Sequence, residues 1–160
     1  MNDAFDPTTH DVMPQRGFDE LQVGEVFRMP SRTMTEALFA AFQTASGDNH
    51  PIHYDVEYCK RHGHPGLLAH GFQVMIQACA GAGPFPHVIG DALIGFLEAS
   101  ARWKKPVYAG DTVYPALQVT ELKRQNTTGV VTVRATVHNQ HGDLVMEGEQ
   151  KYLLRLTAAD

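Results

Sequence analysis

From Val113 to Leu156 the chain is written largely with a period of two. Val131, Val133, Ala135 and Val137 alternate with Thr132, Arg134, Thr136 and His138, the pattern of a strand with one face buried and the other wet. Leu144 and Met146, then Tyr152, Leu154 and Leu156, form a partner run across the turn Asn139-Gln140-His141-Gly142-Asp143. Val113, Leu117 and Val119 mark a third strand. Pro115 places that strand at an edge or a bulge, because proline has no N–H to give to a ladder. Residues 92–104 supply one more strand, and Ala109-Gly110-Asp111 turns the chain between the two.

The first half is different. Residues 24–33 read as a short strand ending near Pro30. Thr33-Met34-Thr35-Glu36 then offers a capping box, with Thr33 as N-cap and Glu36 reaching back. Leu38, Phe39, Phe42 and Ala45 follow at helical spacing, and Gly47 supplies a stop. Asp55 caps a two-turn helix that ends at Gly63, and His64-Pro65-Gly66 forces a turn. Residues 70–82, HGFQVMIQACAGA, are apolar on nearly every face and rich in Ala and Gly, which predicts a buried helix closely approached by a sheet. The order is strand, helices, then a run of strands: an α+β domain over residues 19–160, an antiparallel sheet with its long helix on one face. Residues 1–18 carry no periodicity and read as a flexible arm.

A chain of 160 residues with 43% hydrophobic and 19% charged content suits one globular domain and not a disordered one. The net charge of -5 and the lack of a basic block give no reason to expect DNA or RNA as a partner. Arg102, Lys104 and Lys105 flank Trp103, a basic cluster suited either to a phosphate-bearing small molecule or to a solvated strand end. Cys59 and Cys79 have no CxxC spacing and fall in helical segments, as expected of reduced structural thiols in a cytoplasmic setting. Met1 to Arg16 has no apolar signal-peptide core, and no apolar run is long enough to cross a bilayer, so no membrane association is expected.

The stretch SGDNHPIHYD, residues 46–55, concentrates two carboxylates and two histidines. Three readings stand open for it. Asp48 and Asn49 are turn formers, with His53 an ordinary surface histidine and Asp55 a cap. Alternatively Asp48, His50, His53 and one of His62 or His64 hold a metal such as zinc, although the spacing matches no known ligand pattern. In the third reading Asp48 and His53 converge across the proline-containing loop as an acid–base pair around one water.

These residues resemble a family. SGDNHPIH is similar to the hydratase motif S-G-D-x-N-P-I-H of the MaoC-like, (R)-specific enoyl-CoA hydratases, with His50 where the motif usually has asparagine. LLAHGF, ending at Phe72, resembles the stretch that opens that family's central helix, and KKPVYAGDTV, residues 104–113, its strand–turn–strand segment. The resemblance covers roughly residues 20–156. It implies a hot-dog fold, a curved antiparallel sheet wrapped around one long helix, working as a homodimer or a dimer of dimers. It implies reversible hydration of a trans-2-enoyl-CoA, or of the acyl-carrier-protein equivalent, to the (R)-3-hydroxyacyl thioester. Asp48 and His53 become the catalytic pair, the Gly71 N–H the oxyanion donor, and Asn49 and His50 loop supports. Arg102, Lys104 and Lys105 are candidate contacts for CoA phosphates. No metal or redox cofactor is implied. A hot-dog thioesterase and a non-catalytic thioester-binding module are the alternatives.

Overall fold

The computed structural model describes residues 6–156. Its frame is a single seven-stranded antiparallel sheet. The strands are β1 (Val26–Arg28), β2 (Arg32–Thr33), β3 (Leu93–Ala99), β4 (Arg102–Trp103), β5 (Thr112–Arg124), β6 (Thr128–Asn139) and β7 (Leu144–Arg155). The order is β1-β5-β6-β7-β3, with β2 beside β1 along β5 and β4 beside β3 along β7. The long strands are the ones the period-two pattern marks. Val113, Leu117 and Val119 of β5, Val131, Val133, Ala135 and Val137 of β6, and Tyr152 and Leu154 of β7 are all buried in one core.

Pro115 lies neither on an edge strand nor at the bulge, since β5 is paired on both sides. β5 is flanked by β1 and β2, and Pro115 falls opposite the gap between them. Its carbonyl accepts from Met29 N at 3.1 Å. The N–H and C=O of one strand residue point to the same side, so the missing donor faces the Pro30–Ser31 break, where no ladder runs. A register shift follows between Val119 and Glu121.

Among the described residues four α-helices cover the core: α1 (Glu36–Ser46), α2 (Val56–Arg61), α3 (Gly71–Ile76) and α4 (Phe85–Ile89). α1 stops at Gly47 as its sequence predicts, with φ at +73°, a left-handed conformation that glycine adopts without a Cβ penalty. Its cap is Thr35 and not Thr33. Thr35 Oγ1 accepts from Leu38 N at 3.2 Å, while Thr33 lies in β2 facing Thr112. Glu36 is the first helical residue, two positions before the third helical residue that a box requires. Asp55 caps α2, accepting from Tyr58 N at 2.9 Å.

The helix expected over 70–82 ends much sooner. After Ile76 the N–H groups of Gln77, Ala78 and Cys79 bond three residues back instead of four, tightening the turn, and Gly81, Gly83 and Pro84 do not restart it. Gln73, Val74 and Ala78 are buried, but Phe72 and Ile76 are exposed. The buried Gln150 carries the junction onto the sheet, donating to Ala78 O at 2.9 Å. Cys59 is a buried free thiol and Cys79 an exposed one.

Within residues 6–18, a short 3-10 turn at Pro7–Thr9 leads to Arg16, whose N–H donates to Val88 O at 2.6 Å, and to the buried Phe18. At the sheet's edge away from β1, β3 is an edge strand that leaves Leu93, Ile94, Phe96 and Leu97 exposed. Among the described residues no helix is long and apolar enough to cross a membrane.

Candidate active site

The loop between α1 and α2 is rigid for local reasons. Asp48 N donates to Ser46 Oγ at 3.2 Å, and Asp48 Oδ1 accepts from His50 N at 3.4 Å. Asn49 Oδ1 accepts from Gln43 Nε2 at 2.7 Å, which ties the loop to α1. His50 Nδ1 accepts from Ile52 N at 3.3 Å and so caps the 3-10 turn Pro51–His53. An asparagine Oδ1 occupies nearly the same place relative to its own backbone, so the histidine performs the local bond that the motif's usual asparagine would.

That 3-10 turn aims His53 inward. Its Nδ1–H donates to Leu68 O at 2.8 Å, because a carbonyl can only accept. The lone pair is therefore on Nε2, 3.8 Å from Asp48 Oδ2. The imidazole side chain is 11% exposed and the carboxylate 51%. Burial holds His53 below the ordinary histidine value of 6.5; the Leu68 carbonyl opposes this, His70 adds to it, Asp48 opposes it, and His50 adds to it. At neutral pH the site therefore offers two proton acceptors, a carboxylate and a neutral imidazole, spaced for one bridging water.

Sequence reasoning assigned no role to His70. It is 1% exposed, and its ring stacks on His53 with centroids 3.6 Å apart and planes 21° from parallel. Asp48, His53 and His70 each bring a donor atom within 4.8 Å of the others. They do not converge as metal ligands. Imidazole lone pairs lie in the ring plane, and two nearly parallel planes 3.6 Å apart share no point at bonding distance. His50, His62 and His64 lie outside this group.

A cleft of about 440 Å³ opens beside His53, walled by Ile52, Leu68, Val74, Val107 and Trp103. Gly71, the first residue of α3, also lines it. Trp103 Nε1 donates to Gly71 O at 2.8 Å, and a Cβ at Gly71 would sit 3.1 Å from the indole. The room that glycine leaves is thus taken by Trp103. Lys104 and Lys105 line the same cleft, their amines paired with Glu147 at 2.9 Å and Asp143 at 2.6 Å. Arg102 does not join them. It lines a separate pocket of about 200 Å³ with Thr120, Arg134 and Glu147, on the face of β4 opposite its neighbour Trp103.

The family model for the MaoC-like domain matches residues 20–141. The chain belongs to the MaoC-like domain family. It is 27% identical over 137 residues to a mitochondrial 3-hydroxyacyl-[acyl-carrier-protein] dehydratase of Arabidopsis thaliana, covering 84% of this chain and 78% of that one. It is 29% identical over 133 residues to an (R)-specific enoyl-CoA hydratase of Aeromonas caviae, covering 81% and 92%. A Mycobacterium tuberculosis protein with a double hot-dog fold superposes with a TM-score of 0.78 at 24% identity, over 91% of this chain and 46% of that one. The sheet and its helices are a MaoC-like hot dog.

Proposed function

We propose that this chain adds water reversibly to a trans-2-enoyl thioester, giving the (R)-3-hydroxyacyl thioester. The observation that carries this reading is the placement of Asp48 Oδ2 3.8 Å from the free Nε2 of His53, whose ring lines a largely apolar cleft. A water held between the two donates both its protons and presents its oxygen to the β-carbon. As the C–O bond forms, one proton passes from water to the pair and negative charge moves onto the thioester oxygen. The pair then returns one proton to the α-carbon, so the protein ends as it began. Such acid–base assistance contributes roughly 10²–10⁴-fold.

In this reading the Gly71 N–H, at the open start of α3, receives the enolate oxygen, and such a donor is typically worth about 3–4 kcal/mol. Asn49 and His50 hold the loop in register. Lys104 and Lys105 meet phosphates of a CoA or acyl-carrier-protein handle by leaving their partly exposed carboxylate partners, since surface pairs of this kind are worth only about 0–1 kcal/mol. Arg102, which lines a different pocket, serves this role less directly. A second copy of the chain pairs along β3, whose exposed Leu93, Ile94, Phe96 and Leu97 make an open edge that a partner strand would cover.

The test is the loss of enoyl-thioester absorbance with crotonyl-CoA, for the wild type and for Asp48→Asn. Rapid loss in the first and almost none in the second supports the hydratase. Steady absorbance with release of free thiol would replace it by a thioesterase. No change in either signal over a panel of acyl groups would leave a binding module.

A further inference from the structure

We propose that His70 is a positioning residue for the Asp48–His53 pair, holding the backbone of one and the ring face of the other; this rests on the hydratase reading above. A histidine that is 1% exposed is costly to bury unless its ring nitrogens are engaged, and both face acceptors. Nε2 lies 3.1 Å from Asp48 O, so it carries the proton and donates. Nδ1 faces Gln73 Oε1 at 3.4 Å.

Gln73 is itself buried, and its orientation is set from α1, because Nε2 donates to Leu38 O at 2.8 Å. Gln73 is thus held from α1 against the edge of the His70 ring, and with its proton on Nε2 the ring's one hydrogen bond is the donation to Asp48 O. The His70 ring also has two aromatic neighbours. His53 stacks on it at 3.6 Å, and Phe42 packs against the ring at 4.9 Å with a 51° tilt.

The consequence is geometric. The Asp48 carboxylate is half exposed, so nothing buried on its own side chain fixes its distance from His53. His53 has one anchor, the Leu68 carbonyl, which leaves its plane free to rotate about that bond. His70 removes both freedoms at once. It fixes the Asp48 backbone through Nε2 and the tilt of His53 through the stack. Misplacement of reacting groups by about 1 Å costs on the order of 100-fold in rate, so a residue that touches no substrate can control turnover here.

Two variants separate the contacts. His70→Phe keeps a flat ring against His53 and removes the bond to Asp48 O. His70→Gln keeps a donor able to reach that oxygen and removes the ring. With crotonyl-CoA as the probe, His70→Phe is expected to lower kcat roughly 10- to 100-fold with little change in KM, and His70→Gln to recover part of that loss. Wild-type kcat in a folded His70→Phe, or a loss in both variants that tracks Tm alone, would overturn the proposal. A readout on the wild type covers the case in which neither variant folds. Long-range ¹H–¹⁵N spectra should show His70 with its proton on Nε2 and His53 with its proton on Nδ1; a His70 proton on Nδ1 with Nε2 bare would exclude the Asp48 contact and sink the assignment. If the wild type does not hydrate crotonyl-CoA at all, the hydratase reading fails, and the spectra still decide the contacts.

Discussion

Asp48 Oδ2 and His53 Nε2 lie 3.8 Å apart, one on a half-exposed carboxylate and the other on a largely buried imidazole. The separation is too long for a direct hydrogen bond and suits a shared water. Replacing the Asp48 acceptor should leave the fold intact, because Oδ2 holds no other element in place, while replacing His53 also removes its Nδ1 bond to Leu68 O and its stack on His70. Asp48→Asn and His53→Gln are each expected to lower kcat by about 10²–10⁴-fold, the former with Tm within a few degrees of the wild type. Retention of rate by either variant would remove that residue from the reaction.

His53 is held below 6.5 by burial, with the Leu68 carbonyl as the main opposing influence. As a base it must be neutral, so kcat/KM is expected to stay flat through neutral pH and to fall only below the usual histidine range. Stability follows the same group. The unfolded chain takes up this proton at a higher pH than the folded one, so it binds more protons in the window just below 6.5. Unfolding free energy should then rise with pH through that window and be lost as pH falls through it. His53→Gln should remove that part of the slope in a pH series of urea denaturations; an unchanged slope would assign it elsewhere.

Gly71 and Trp103 are coupled by contact. A Cβ at position 71 would sit 3.1 Å and 3.2 Å from indole atoms, so Gly71→Ala forces the ring to give way. It is expected to cost about 1–3 kcal/mol by overpacking, and much less in a Trp103→Ala background. Additive losses in the double-mutant cycle would mean that the ring moves freely.

Gly148 has no such latitude. A Cβ there would lie 1.9 Å from Ser100 O, a backbone atom at the break between β3 and β4. Gly148→Ala is expected to destabilise by about 1–3 kcal/mol or more. Gly66→Ala, with nothing within 4 Å of its Cβ position, should change stability by no more than about 1 kcal/mol. Equal midpoints in urea would contradict the close approach.

The β3 edge predicts association. Phe96 is 58% exposed there beside Leu97. In sedimentation experiments the wild type is expected to run as a dimer or larger, and Phe96→Lys with Leu97→Lys to shift it toward monomer. A wild-type monomer would end the pairing proposal.

The sequence by itself determined the features that arise within a few residues. The alternation of β6 and β7, the stop at Gly47 and the Asp55 cap all depend on short-range geometry that the residue types impose, whereas the approach of Asp48 to His53 is one of three readings the residues leave open. It misplaced the α1 cap by two residues, because Thr33 and Thr35 are both capable caps and only the pairing of Thr33 with β5 decides between them. It overran α3, since composition reports a helix-friendly stretch and not where sheet contacts such as Gln150 to Ala78 O take over. The tertiary structure alone decided the rest. His70 reaches Asp48 across 22 residues, and Trp103 reaches Gly71 across 32. Arg102 parts from Lys104 and Lys105 onto another pocket. Contacts at such separations depend on how the sheet brings distant segments together, and no local pattern in the chain encodes that.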